Sequence, residues 1–179
     1  HSTIQPFTHA RMLHRARPVS RFPRVNLVLL EPGELGTGGV VRLSGRRAVH
    51  LRQVLKVADG HEVRVGLVDG PPGVGVVQSI GTDNDVVELQ CAFEANVPPR
   101  PPVDLLLALP RPKVLRRLWA QFAALGVGQI ILTNAERVER HYFDTHVLTP
   151  ADYRPLLVEG LQQARDTRLP AVSIHRRFK

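Results

Sequence analysis

The chain has 179 residues, with 24 Lys plus Arg against 16 Asp plus Glu and a net charge of +8. Hydrophobic residues make up 43% and charged residues 22%, a globular profile that excludes wholesale disorder and collagen-like repetition. No apolar run approaches the ~18–20 residues that span a bilayer, and a lone Cys91 excludes an internal disulfide framework or a Cys-rich zinc site.

Charge is uneven along the chain. Residues 1–23 carry four Arg (Arg11, Arg15, Arg17, Arg21) and no acid; residues 24–97 carry seven basic and nine acidic side chains; residues 98–179 carry thirteen basic and seven acidic. This asymmetry implies an anionic partner, although charge speaks to attraction and not to fold. Arg outnumbers Lys 21 to 3. That bias suits bidentate phosphate contacts, and genome base composition accounts for it equally well. Residues 1–23 lack apolar periodicity. Arg-rich and acid-free, they look like an organelle transit peptide; because the chain starts at His1, a tag remnant with a disordered extension is the simpler expectation.

Residues 24–97 read as short strands. Apolar or alternating runs at 25–30, 40–43, 62–68, 74–80 and 86–92 are separated by turn residues, and the spacing suits a small β-barrel. Between them, residues 46–57 (RRAVHLRQVLKV) contain no Gly or Pro and predict a short helix. Residues 98–102, inside VPPRPP, are a stiff Pro-rich linker. Residues 103–179 change character. VDLLLAL (103–109) reads as a strand buried on both faces. Pro112 opens a helix with Val114, Leu118, Phe122 and Leu125 on one face and Leu115 and Trp119 beside them, and Gly126 stops it. A strand at 129–132 follows. Thr149-Pro150-Ala151-Asp152 is a helix start, with Tyr153, Leu156, Leu157 and Leu161 facing inward. A last strand covers 171–175. The β-α-β-α-β order predicts a parallel sheet. Three such strands leave open edges and an uncovered face, an incomplete α/β domain.

Candidate chemistry is basic. No phosphate-binding glycine motif is present; GTGG (36–39) and GPPGVG (70–75) read as hairpin turns. His141 and His146 are poorly spaced for a metal, and Cys91 reads as a core residue. Arg42, Arg46, Arg47, Arg52 and Lys56, with His50 among them, fall within fifteen residues without an acid. They suit a phosphate backbone or, equally, a solvated helix face. Arg24 lies just ahead of this half's first strand. Arg111, Lys113, Arg116 and Arg117 cluster at a helix start. Arg137 and Arg140 follow a strand end, where α/β proteins place ligands, with an ion pair to Glu136 or Glu139 as the structural alternative. Gln163 and Arg165 sit near the end of the last helix.

Five ordered segments carry a resemblance: His50-Leu-Arg-Gln-Val-Leu-Lys56, Leu107-Ala-Leu-Pro-Arg-Pro-Lys113, Ala124-Leu-Gly-Val127, Thr133-Asn-Ala-Glu-Arg137, and Gln162-Gln-Ala-Arg165 ahead of Leu169-Pro170. Over residues 24–179 the chain resembles the bacterial 16S ribosomal RNA uridine-N3 methyltransferases of the SPOUT (α/β-knot) superfamily, which carry an N-terminal PUA-like barrel. It departs from that pattern at Val49-His50, Gly60-His61, Gln162-Gln163 and Arg111-Pro112-Lys113. It also lacks the family's Gly-Pro-Glu-Gly-Gly loop and closing Leu-Arg-x-Glu-Thr-Ala segment.

The resemblance implies an S-adenosylmethionine-dependent enzyme that works as a homodimer on the small-subunit ribosomal RNA, in the cytoplasm or, if residues 1–23 are a transit peptide, in an organelle. It implies that residues 24–97 help to hold RNA; Arg24, Arg46, Arg47, His50, Arg52 and Lys56 there, with Arg111, Lys113 and Arg140 in the second half, are the candidate contacts. Residues 103–179 are then the first part of the methyltransferase domain. Arg137, and second Arg165, are candidates to stabilise the uridine anion. The main cofactor loops are expected beyond Lys179, so residues 1–179 alone are expected to bind S-adenosylmethionine weakly or not at all. Two further readings compete: a non-catalytic RNA-binding module, and a Rossmann-like nucleotide-binding protein, which lacks a phosphate loop after Leu109.

Overall fold

Valine-rich alternation builds the first sheet. In the computed structural model, which describes residues 27–81 and 86–177, strands β1 (Val28–Leu30), β2 (Val40–Ser44), β3 (Glu62–Leu67), β4 (Pro72–Ile80) and β5 (Val86–Phe93) are hydrogen-bonded in the order β1-β3-β4-β5-β2. β1 runs parallel to β3 and the other pairs are antiparallel. Alternation sends Val41 and Leu43 of β2 inward. They share one core with Val28 and Leu30 of β1, although the two strands are opposite edges of the sheet. The sheet therefore curls. It does not close as the expected barrel: no β1–β2 ladder joins its edges among the described residues. Residues 1–23 and Arg24 lie outside the described residues.

The expected helix at 46–57 is shorter. α1 (Arg46–Val49) continues as a π-helical turn, His50–Val54, and buries Ala48 and Leu51 in the curl. Lys56 then turns to positive φ (49°), a conformation no helix continues through. The GPPGVG segment is only partly a turn. Asp69 (φ 58°) and Gly70 make the β3–β4 reversal, whereas Gly73 and Gly75 lie within β4. A Cβ on Gly73 would collide with the Ala92 carbonyl across the ladder, so close strand approach explains that glycine.

The second sheet is parallel: β6 (Asp104–Ala108), β7 (Gln129–Thr133) and β8 (Ala171–His175), in the order β6-β7-β8. α2 (Pro112–Ala124) and α3 (Pro150–Ala164) connect the strands and pack against each other on one face. Both helices open on proline at the first position. Thr149 occupies the N-cap position of α3 and its hydroxyl donates to the Asp152 carboxylate at 3.2 Å, and Gly126 (φ 75°) ends the α2 region.

Two sequence expectations change here. α2 buries Leu115, Trp119, Phe122 and Ala123, while Val114 (46% exposed) and Leu125 (79% exposed) face solvent. The apolar stripe is rotated by about one residue, or ~100°. Trp119 sets the rotation: it is fully buried, donates from Nε1 to the Val147 carbonyl at 3.2 Å, and lies 4.9 Å from the Tyr153 ring. β6 is not buried on both faces. Leu105 and Leu107 meet the helices, but Leu106 is 56% exposed, because both helices lie on the other face.

The Pro-rich 98–102 segment has no regular structure. Even so, the two sheets share a seam. Leu27, Leu29 and Val68 sit in the core under α2 and α3. Asp69 N–H donates to the Thr167 carbonyl at 2.7 Å, Thr167 Oγ1 donates to the Gly70 carbonyl at 2.7 Å, and Arg168 donates to the Asp69 carbonyl at 2.8 Å. Leu27 N–H donates to the Gln162 carbonyl, and Arg154 pairs with Glu31. No described helix is long and apolar enough to cross a membrane.

Candidate nucleic-acid interface

The basic residues of the first sheet divide by partner. Arg47 forks onto Glu34 and also donates to the Leu29 carbonyl at 3.3 Å. Glu34 additionally accepts from the Glu31 N–H at 2.9 Å. The hydrogen bond from Arg47 holds the Glu34 carboxyl below its ordinary value against the opposing effect of burial, and Glu34 in turn raises Arg47. Arg47 thus ties the helix start to the β1 end. Arg42 pairs with Glu88 at 3.1 Å. Arg52 is half-buried with interactions of its own. Arg46, His50 and Lys56 are exposed. Arg46 and His50 line a cleft of about 350 Å³ opposite Glu159, Gln162 and Gln163 of α3.

A second basic surface lies at the carboxyl end of the parallel sheet. Arg111, Lys113, Arg116 and Arg117 are exposed on the opening turns of α2, directly after β6. Arg137 and Arg140 are exposed in the segment after β7. Neither forms the alternative ion pair with Glu136 or Glu139. Asn134 N–H is clipped to the His175 carbonyl at 3.2 Å, extending the β7–β8 ladder by one step. Beside it, Thr133 Oγ1 and Asn134 Oδ1 are buried without a hydrogen-bond partner among the described residues. A cavity of about 440 Å³ opens here, lined by Asn134, Arg140, Phe143, Asp144, Arg176 and Arg177. The sequence reading missed Asn134, Arg176 and Arg177. Their signal was the paired arginines directly after the third strand.

The two candidate catalytic arginines are far apart in one chain. Arg137 follows the carboxyl end of β7. Arg165 caps α3 in the left-handed conformation (φ 60°), at the end leading back to the amino end of β8. The 15-residue α3 between those ends is about 22 Å long. Arg165 instead neighbours Gln162 and Gln163, which line the Arg46–His50 cleft.

Cys91 is buried in the first core, and burial pushes its thiol up to about 11, which makes it unreactive. His141 stacks edge-on with Tyr142 at 4.7 Å. Among the described residues no group of three His, Cys, Asp or Glu side chains is placed to hold a metal.

Residues 98–179, which contain the parallel sheet and its basic end, match the family described as the RNA methyltransferase domain. Two relatives extend the match into the first sheet. The chain is 30% identical over 151 residues to "Ribosomal RNA small subunit methyltransferase E" of Treponema pallidum, covering 84% of this chain and 56% of the relative. It is 25% identical over 167 residues to "Ribosomal RNA small subunit methyltransferase E 1" of Borreliella burgdorferi, covering 87% and 63%. The chain therefore spans less than two thirds of the length of these relatives. Its fold is also that of a crystal structure of ribosomal RNA small subunit methyltransferase E from Neisseria gonorrhoeae bound to S-adenosyl methionine. The TM-score is 0.61 at 17% identity, over 85% of this chain and 62% of that one.

Proposed function

We propose that this chain is part of an S-adenosylmethionine-dependent methyltransferase of the SPOUT superfamily that methylates N3 of a uridine in 16S ribosomal RNA and works as a homodimer. The match of residues 98–179 to the RNA methyltransferase domain carries this reading. The exposed arginines at the carboxyl end of that sheet support it. Residues 24–97 are then a PUA-like RNA-holding unit, 98–102 the linker, and 103–179 the first part of the methyltransferase domain. The place of action is where small subunits are assembled, the cytoplasm in a bacterium.

Bound S-adenosylmethionine supplies an electrophilic methyl group on a sulfonium and leaves as S-adenosylhomocysteine. The protein supplies position and charge. Arg137 is our candidate to face the pyrimidine and stabilise the N3 anion once a base, to which no residue is assigned, takes the N3 proton. Arg165 reaches the same uridine only from a second copy of the chain, given its place at the far end of α3. Of the RNA contacts, Arg46, His50, Lys56, Arg111, Lys113 and Arg140 are presented to solvent; Arg47 acts by anchoring the helix that carries Arg46 and His50. The cavity beside Asn134 does not fit the cofactor. It is lined by three arginines and one aspartate, and S-adenosylmethionine is itself net positive, so no cofactor-holding role is assigned there.

The test is methyl transfer from labelled S-adenosylmethionine to unmethylated small-subunit RNA, with nucleoside mass spectrometry for 3-methyluridine. Formation of that nucleoside supports the reading. RNA binding without product points to the non-catalytic module, and neither binding nor product overturns both.

A further inference from the structure

The cavity of about 440 Å³ at the ends of β7 and β8 is one-sided in charge. Arg140, Arg176 and Arg177 line it against a single carboxylate, Asp144. Arg176 is already engaged: it donates to Asp144 Oδ1 at 2.8 Å and to the Phe143 carbonyl at 3.1 Å, and its guanidinium lies over the Phe143 ring at 5.8 Å. Phe143 is buried in the helix-side core, so the ring under Arg176 is fixed, although the Arg176–Asp144 pair itself is largely exposed. Arg140 and Arg177 have no partner among the described residues. The cavity therefore keeps a net positive charge and two free guanidinium groups, the donors best matched to a phosphate.

A second feature points to more than an anion. Asn134 lines the cavity, yet its Oδ1 is buried and accepts no hydrogen bond from the described residues. Its backbone is pinned to His175, so the orphan atom is not on a loose loop. Buried polar atoms are rarely left this way without a missing partner. A donor on a bound ligand would satisfy it, and the arginines beside it would suit a ligand whose other end is anionic.

We infer that this cavity is a ribonucleotide subsite. Arg140 and Arg177 take the phosphate, Arg176 is held against Asp144 as its wall, and Asn134 Oδ1 accepts a hydrogen bond from a ribose hydroxyl or base N–H of the same nucleotide. This assignment rests on the reading of the chain as an RNA-binding methyltransferase, and names which part of the surface holds a nucleotide.

The experiment titrates the 179-residue chain with uridine 5′-monophosphate, uridine and inorganic phosphate, by calorimetry and by following the Asn134 amide in NMR spectra. The expected order has the nucleotide binding about tenfold more tightly than either fragment, because only it uses both halves of the site. The double substitution R140Q/R177Q lies on the surface. It should weaken nucleotide binding about tenfold and reduce the salt slope of RNA binding by about 0.7 for each arginine. N134A should weaken the nucleotide and leave inorganic phosphate unchanged. The assignment is overturned if uridine or inorganic phosphate matches the nucleotide, if no nucleotide binding is detected at millimolar concentration, or if the double variant binds as the parent does. Failure of the parent chain to bind ribosomal RNA counts against the broader reading. The nucleotide titration decides the subsite separately.

Discussion

Arginine is plentiful both at the seam between the sheets and at the carboxyl end of the parallel sheet, but it is used differently in the two places. At the seam four arginines have carboxylates: Arg47 on Glu34, Arg154 on Glu31, and Arg168 and Arg100 at 3.9 and 3.8 Å from Asp69. At the other end Arg111, Arg116, Arg117, Arg137, Arg140 and Arg177 form no ion pair among the described residues. Half-exposed pairs contribute little individually, but Arg47–Glu34 positions the helix that carries Arg46 and His50, and the other three tie the two sheets together. Unpaired like charges gathered on one surface repel one another and lower stability, so their presence calls for an anionic partner. Net charge alone does not separate these two roles; the partner of each guanidinium does.

The comparison breaks first at Arg137. Substitution by Ala should lower methyl transfer about 10²–10³-fold, the range for removing one donor that stabilises a developing anion, while the unfolding midpoint stays unchanged. Unchanged transfer in a folded variant sinks the catalytic role. The opposite pattern is expected where packing dominates. A Cβ on Gly160 would run into the Ala120 carbonyl of α2, a backbone atom that cannot step aside. Gly160→Ala should therefore cost about 3 kcal/mol in urea unfolding, with RNA affinity of the folded protein unchanged.

What could be read in the sequence follows the same division. The parallel sheet, the helix starts at Pro112 and Pro150 and the stop at Gly126 were legible, because proline, glycine and capping residues act locally. The stripe of α2 was misjudged. Val114, Leu118, Phe122 and Leu125 make as good a row as Leu115, Trp119 and Ala123 by spacing, and only the Trp119 hydrogen bond to Val147, distant in sequence, decides between them. VDLLLAL looked buried on both faces because an apolar run does not say how many layers cover it. The four basic clusters were visible, but which arginines were already taken was not. Glu34 lies thirteen residues from Arg47, and Asp69 ninety-nine from Arg168. Opposed placement of Arg137 and Arg165 likewise follows from the direction of α3, a matter of topology and not of composition.

A smaller effect tests the seam through pH. Arg47 holds the Glu34 carboxyl below its ordinary value of 4.5. Folding therefore favours the ionised form, and the gain is present above that ordinary value and lost as pH falls through the lowered one. Glu34→Gln should be less stable than the parent by about 1 kcal/mol near neutral pH. The gap should narrow as pH falls below the ordinary carboxylate range and close once the lowered value is passed. A gap that persists in acid shows that shape and not charge holds this corner.

The smallest expected effect is at Leu106. It faces away from α2 and α3, whereas Leu132, one ladder step along β7, is fully buried beneath them. In the chain by itself, Leu106→Ser removes little apolar area from any core, and unfolding free energy should change by less than about 0.5 kcal/mol. The measurement gains force when repeated across protein concentrations. A stability that rises with concentration in the parent and not in the variant places a second copy on this face, because only association ties folding to concentration. A small, concentration-independent effect leaves the face free and assigns the proposed homodimer contact to some other surface, where Arg165 of one copy must then be brought to Arg137 of the other.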